Sequence, residues 1–307
     1  MDYGMELKEK KQLIEDALDS YLPAEDNYPV RVHQAMRYSI FAGGKRIRPV
    51  LMILSAELFT DEINKVLPAA CSMEMIHTYS LIHDDLPAMD DDTYRRGRLT
   101  CHKAFGEATA ILAGDALLTM AFEILSENSS ACKQNKYSES YGDDVRPETK
   151  LQVINELAKA AGVNGMIGGQ VVDLESEGKV LEKEVIDYIN KNKTGKLIET
   201  SIRLGVLLGG GEKDDLANLT RYGMILGEAF QLVDDLLDVV GDSTKMGKKS
   251  GMDAEKEKAT YIAIMGLEKT KAKRDSLYEQ AVEQLVPYGQ SASVLHGITN
   301  FIFYRDF

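Results

Sequence analysis

The sequence predicts an all-α fold, on three observations. Apolar residues recur at helical spacing through most of the chain, alternating strand-like runs bounded by turns are lacking, and glycine clusters punctuate the helical stripes. In chain order, the apolar run Met73–Ile82 makes a helix that Pro87 ends or bends. Residues 126–149, SENSSACKQNKYSESYGDDVRPET, are polar and poor in large apolar groups, and are expected to form a mobile surface loop. Leu151, Val153, Ile154, Leu157, Ala158 and Ala161 mark one face of a helix over 151–161. A second stripe over 182–208 takes in Ile186, Ile189, Leu197, Ile198, Ile202, Leu204 and Leu208, and Gly209-Gly210-Gly211 stops it. Asp214 and Asp215 suit the positive end of the next helix dipole, and that helix should reach about Gly241. Two more helices are expected, between Ala259 and Leu285 and between Ser291 and Phe303.

With 307 residues and 44% apolar content, the chain can bury a substantial core, and residues 1–307 are read as a single domain. A net charge of -13 argues against broad attraction to nucleic acid or anionic lipid, so an anionic ligand must meet a local cationic patch or a bound metal. The three cysteines, Cys71, Cys101 and Cys132, lack CxxC spacing and cannot all pair within the chain, which favours a reducing compartment. Residues 1–11 do not have the pattern of a secretory leader, and uninterrupted apolar runs stay below the roughly 18–20 residues of a membrane span. A cytoplasmic protein without a stable membrane anchor is expected.

Two acidic clusters carry the chemistry. The first, His83-Asp84-Asp85-Leu86-Pro87-Ala88-Met89-Asp90-Asp91-Asp92, follows the Met73–Ile82 helix, so Asp84 sits on the last turn and Asp90 returns on the next bend. Adjacent unit charges at about 4 Å repel by up to about 4 kcal/mol at an effective dielectric of 20, and a hard divalent cation relieves this. The second is Gln231-Leu232-Val233-Asp234-Asp235-Leu236-Leu237-Asp238, in which Gln231, Asp234 and Asp238 share a helix face. Solvated helix-end acids would explain one such cluster alone. Incomplete oxygen sites of this kind suit magnesium, which keeps waters and binds substrate phosphates beside one or two carboxylates. Neither segment has the spacing of a calcium-binding EF-hand loop.

Cationic segments flank the first cluster. They are Gly43-Gly44-Lys45-Arg46-Ile47-Arg48-Pro49 before it and Arg95-Arg96-Gly97-Arg98 after it, and arginine forks and lysine ammonium groups are the usual phosphate partners. Lys45 and Arg48, at a glycine-opened helix start, could hold one diphosphate together. Lys193-Thr194-Gly195-Lys196 interrupts an apolar stripe, and Lys248 follows a glycine-bounded segment.

In order and spacing, GGKRIRP at 43–49, DDLPAMD at 84–90, RRG at 95–97, KTG at 193–195 and FQLVDDLLD at 230–238 resemble the trans-prenyl diphosphate synthases over nearly the whole chain. The longer first motif, with Pro87-Ala88 inside it, looks like the bacterial farnesyl diphosphate synthases and related geranylgeranyl enzymes. The resemblance implies a helical bundle around a deep central cavity, three magnesium ions and a homodimer. Asp84, Asp90, Asp234 and Asp238 would serve the metals, with Asp85 acting nearby. Arg95, Lys193, Thr194, Gln231, Lys248 and Lys258 would contact the allylic diphosphate. Gly44, Lys45, Arg48, His77 and Arg96 would hold isopentenyl diphosphate without a metal, while His83 is read as structural.

The implied reaction ionises an allylic carbon–oxygen bond, captures the cation with the isopentenyl double bond, and loses a proton to the released diphosphate. Metals, Arg95, Lys193 and Lys248 would stabilise charge on the leaving group. Product length depends on what floors the cavity beneath Asp84. Ser80 lies almost under Asp84 on an ideal helix, whereas Tyr79 is about 140° round and about 7.5 Å along, so spacing alone does not choose between them. The family pattern points to the fifth residue before the motif, the bulky Tyr79, and so to a fifteen-carbon product. The rivals are a geranylgeranyl diphosphate synthase, a non-catalytic partner subunit, and an HD-type phosphohydrolase built on His77, His83-Asp84 and Asp234. The last of these would normally need further imidazole ligands.

Overall fold

The computed structural model describes residues 3–126, 145–179, 181–240 and 261–305. The described chain is all-α apart from one small hairpin. It divides into two compact units, Met1–Asn155 with Leu207–Gly210, and Glu156–Val206 with Gly211–Phe307.

The first unit holds α1 (Tyr3–Tyr21), α2 (Val30–Ile40), α3 (Ile47–Ala56), α4 (Leu67–Asp84), α5 (Cys101–Phe105) and α6 (Glu107–Ser126). α4 is its axis, packed by α1, α2, α3 and α6. Pro68 opens it in the first turn, where the missing N–H had no helical partner to lose. A helix apolar on all sides belongs in a core, and Met73, Met75 and Ile76 of α4 are fully buried, each contributing about 1.5–3 kcal/mol. α6 approaches α4 closely at Gly114, where a Cβ would lie 2.2 Å from His83 Nε2. Among the described residues α6 is the one helix long and apolar enough to cross a membrane by length and composition. Its Ala110, Ala113, Leu117 and Ala121 are buried, while Ile111 and Leu112 are exposed.

Between α4 and α5 lies the strand pair that the sequence reading did not anticipate, β1 (Tyr94–Arg95) against β2 (Arg98–Leu99). Two residues per strand are too few to print an alternating pattern. Arg96 (φ 52) and Gly97 (φ 75) form its turn, with both central residues left-handed as a type I′ turn requires.

In the second unit, α7 (Pro147–Ala161) arrives from the first and is followed by α8 (Met166–Glu175), α9 (Lys183–Ile189), a π turn (Asn190–Gly195) and α10 (Lys196–Gly209). After these come α11 (Lys213–Val240), α12 (Tyr261–Met265), α13 (Leu267–Leu285), a 3-10 segment (Val286–Ala292) and α14 (Ser293–Tyr304). The stripe read over 182–208 is thus helical throughout, with a π turn inside it that winds in one residue beyond the α spacing. The helix expected between Ala259 and Leu285 is split at Gly266, whose φ of 81 ends α12. α11 packs on α13, α14 and the π turn, and the buried Tyr222 hydroxyl lies 2.8 Å from Thr299 Oγ1. Of the loop expected over 126–149, residues 127–144 lie outside the described residues, as does Cys132. Cys71 and Cys101 are buried free thiols.

Candidate active site

The basic loop before α3 is held by its backbone. Gly43 (φ 94), Gly44 (φ 122) and Arg46 (φ 52) are left-handed, and the Arg46 carbonyl accepts the Val50 N–H at 3.0 Å, starting the helix. The Arg46 side chain is wholly buried, with Nη1 2.6 Å from Glu74 Oε1 and Nη2 donating to the Ile40 carbonyl at 2.5 Å. Lys45 is exposed on the loop. Arg48 reaches back to α4, its Nη1 3.3 Å from His77 Nε2.

Because arginine only donates, Nε2 of His77 must accept, which leaves the imidazole proton on Nδ1. Burial, followed by the charges of Arg48, Arg96, Arg95 and Arg46, holds His77 well below its ordinary value, so the ring is neutral. Arg96 closes the group from the hairpin and donates to the Gly43 carbonyl. A Cβ on Gly44 would sit 2.6 Å from Arg96 Nη1, and the φ of 122 there favours glycine. Gly44, Arg48, His77 and Arg96 are thus brought together, with Lys45 beside them.

α4 ends at Asp84, and the chain folds back so that the Asp90 N–H donates to the Asp84 carbonyl at 2.9 Å. Asp84 and Asp90 are half-buried, whereas Asp85 turns inward and is buried. Both Asp85 oxygens accept from Arg95, Nε at 2.8 and 2.9 Å, and Nη2 lies 2.6 Å from Oδ1. Burial pushes the Asp85 carboxyl up despite the opposing pull of Arg95. Tyr79 is buried edge-on to His83, centroids 5.8 Å apart, and its hydroxyl has no partner among the described residues. Ser80 donates to the His77 carbonyl at 2.9 Å. His83 meets the Ile111 carbonyl at 3.1 Å.

In the second unit the π turn carries Lys193 and Thr194. It is built on close glycine approaches, since a Cβ on Gly169 would meet Lys193 N at 2.3 Å and one on Gly227 would meet Gly195 Cα at 2.7 Å. Lys193 Nζ donates to Asp173 Oδ2 at 2.6 Å. On α11, Gln231 turns toward Asp235, its Nε2 donating to Oδ1 at 3.0 Å. Asp235 Oδ2 accepts the Tyr261 N–H at 2.8 Å, tying α12 to α11. Asp234 instead holds a cation: Arg305 Nη2 lies 2.5 Å from its Oδ1, with the guanidinium 4.4 Å from the Phe230 ring centroid. Asp238 is half-buried one turn on. Lys248 and Lys258 lie outside the described residues.

In the first unit Asp84 and Asp90 offer oxygen alone, which suits a hard divalent ion. The same holds for Asp234 and Asp238 in the second, where Asp234 already draws a positive group. Among the described residues no three His, Cys, Asp or Glu groups make a ready-made cage.

The polyprenyl synthetase family model matches residues 29–287. The farnesyl diphosphate synthase of Geobacillus stearothermophilus is 42% identical, over 98% of this chain and 97% of its own. A heterodimeric geranylgeranyl pyrophosphate synthase large subunit from Arabidopsis thaliana is 44% identical over 97% of this chain and 78% of its own. The crystal structure of an FPP/GFPP synthase from Zymomonas mobilis superposes with a TM-score of 0.84 at 35% identity, over 99% of both chains. The chain belongs to the polyprenyl synthetase family.

Polyprenyl synthetases are prenyltransferases that act on isopentenyl and allylic diphosphates and use divalent metal ions. The HD-type phosphohydrolase reading finds no support, and the histidines it needs are engaged elsewhere, His77 with Arg48 and His83 with the Ile111 carbonyl. Sequence reasoning passed over Gln170 and Asp173 in Gly168-Gly169-Gln170-Val171-Val172-Asp173. The side-chain oxygen and nitrogen of Gln170 are buried without a partner among the described residues. A carboxamide and a carboxylate one helical turn apart behind two glycines were the available signal.

Proposed function

We propose that this prenyltransferase joins isopentenyl diphosphate to dimethylallyl and then geranyl diphosphate, with magnesium, to give farnesyl diphosphate. The observation that carries the reading is the convergence of Gly44, Arg48, neutral His77 and Arg96 in the same unit as the Asp84–Asp90 bend. That pairing suits two diphosphates of different kinds, one held by cations of the protein and one through metal.

Arg48, Arg96 and Lys45 would grip the isopentenyl diphosphate oxygens, with His77 Nδ1–H as a neutral donor. Asp84 and Asp90 of the first unit would serve magnesium, as would Asp234 and Asp238 of the second, with three ions in all. When bound, these would neutralise the charge that builds on the departing allylic diphosphate. Arg95 of the first unit, and Lys193, Thr194 and Gln231 of the second, with Lys248 and Lys258, would be diphosphate donors. Asp85 would keep the Arg95 fork aimed, because both its oxygens already hold that guanidinium. The departing diphosphate would take the final proton.

Ile111 and Leu112, exposed on α6, support a homodimer through that helix; the net charge argues against nucleic-acid partners, and the free thiols of Cys71 and Cys101 suit a cytoplasmic location. A geranylgeranyl product is the second reading, since relatives at 40–44% identity carry that name. The test is incubation of the purified chain with labelled isopentenyl diphosphate, each allylic starter and magnesium, followed by product chain length. Fifteen carbons support the proposal and twenty favour the second reading. No condensation with any starter would point to a non-catalytic partner subunit.

A further inference from the structure

We propose that Glu74 is a positioning residue for the isopentenyl diphosphate pocket, acting through Arg46; this rests on reading Gly44, Lys45, Arg48, His77 and Arg96 as that pocket. Glu74 is 2% exposed, in the middle of α4, between Met73 and Met75. A carboxylate there is tolerated only if it is paired. Its partner, Arg46, is as deeply buried and spends a second nitrogen on the Ile40 carbonyl, with Glu15 Oε1 3.5 Å from its Nε.

Buried ion pairs of this kind are commonly no more stable than a well-packed apolar replacement, so stability alone does not call for the pair. What it fixes is a backbone shape. Arg46 is left-handed (φ 52, ψ 34), a conformation that non-glycine residues hold only where the surroundings impose it. Locking its guanidinium beneath the loop sets Lys45 on one side and Arg48 two residues on. It also sets the Gly43 carbonyl on which Arg96 rests. Glu74 lies one turn before His77 on α4, so one helix carries both the anchor of the loop and a wall of the pocket. Burial pulls Arg96 below its ordinary value, and the Glu74 charge opposes that shift. Without that charge, Arg46 keeps only the longer contact to the part-exposed Glu15, and the loop gives way to bring the buried cation closer to it.

The experiment measures KM for isopentenyl diphosphate, KM for the allylic starter, kcat and Tm. The variants are Glu74→Gln, Glu74→Asp, the double Arg46→Met/Glu74→Met, and Arg48→Gln. Glu74→Gln is expected to raise KM for isopentenyl diphosphate about tenfold or more, the size of effect that a small misplacement of binding groups produces. KM for the allylic starter should stay near the wild-type value, and Glu74→Asp should recover part of the loss. The apolar double variant removes the buried charges together, so it is expected to keep Tm near wild type and still show the raised KM. A normal isopentenyl KM in the double variant would overturn the proposal, as would a Glu74→Gln effect that falls equally on both substrates and tracks Tm. Arg48→Gln separates the two layers of argument. If it leaves the isopentenyl KM unchanged, the pocket assignment is wrong; if it raises that KM while the Glu74 variants do not, the pocket stands and the role of Glu74 is refuted.

Discussion

Replacing Tyr79 by alanine should lengthen the product by one isoprene unit. Tyr79 is 5% exposed and faces His83 edge-on in the interior of the first unit. Truncating a core aromatic to alanine costs about 3–5 kcal/mol in lost burial and cavity. Five further product carbons, at about 0.8 kcal/mol per buried methylene, regain about 4 kcal/mol if they fill the vacated space. The two terms nearly cancel, so the variant should be less stable alone and should recover much of that stability with the longer product bound.

Tyr79→Phe is the companion. The hydroxyl is buried without a partner among the described residues, and burial raises its pKa to about 12, so it stays protonated. Its removal breaks no hydrogen bond, and it relieves an unsatisfied polar group worth about 1–3 kcal/mol. Tm should hold or rise by about 2–4 °C per kcal/mol, with product length unchanged. The assay is chromatography of labelled products from both variants, with thermal unfolding in parallel. An alanine variant that stops at the wild-type length would show that another residue floors the cavity. A phenylalanine variant with altered products would show that the hydroxyl, not the ring, sets the limit.

Further outcomes are expected. Folding holds His77 below its ordinary value near 6.5, so the folded chain binds fewer protons than the unfolded chain just below that pH. Its stabilising contribution is therefore complete above about pH 6.5 and is lost as pH falls toward the folded value, by at most about 1.4 kcal/mol per unit. Thermal unfolding from about pH 8 to about pH 5 should show a steeper acid loss in wild type than in His77→Gln, and parallel curves would mean that the imidazole titrates normally. Arg305→Gln should tighten magnesium or manganese binding, read by calorimetry without substrate, by a few-fold to about tenfold, because the metal no longer displaces a guanidinium from Asp234; unchanged affinity would show that the pair opens without cost. Gly227→Ala would gain about 1 kcal/mol in an ordinary helix, but here the methyl meets Gly195 Cα at 2.7 Å. A lower Tm and a raised allylic KM are expected, and a stabilised variant with normal kinetics would refute the close-packing argument.

The helices were legible where one apolar face runs to a clear stop. The helix over 151–161 begins slightly earlier, at Pro147, and Gly209 ends α10 where the glycine run predicted. The bend that returns Asp90 to Asp84 was readable from Pro87, because proline restricts its neighbour. What sequence could not show was which aspartates turn inward. Asp84 and Asp85 are adjacent, as are Asp234 and Asp235, and the register of each helix sends one of each pair into a private bond, with Arg95 and with the Tyr261 N–H. The Arg305 contact was equally invisible, since it joins residues 71 apart. Lys193 was noticed for the cost of a polar group on an apolar stripe. The partner that meets that cost, Asp173, lies on another helix.

The π turn has a consequence at the level of the gene. A five-residue hydrogen-bonded ring accommodates one residue beyond regular α-helical winding, so a single in-frame codon loss within Asn190–Gly195 would let the coil close up while sparing every apolar anchor in α9 and α10. The backbone downstream would keep its packing, but where the lost residue precedes Lys193, that side chain would swing by about 100° away from Asp173. Such a deletion would spare the helical scaffold and both aspartate clusters while misplacing one cation, a single-step route to a weakened paralogue.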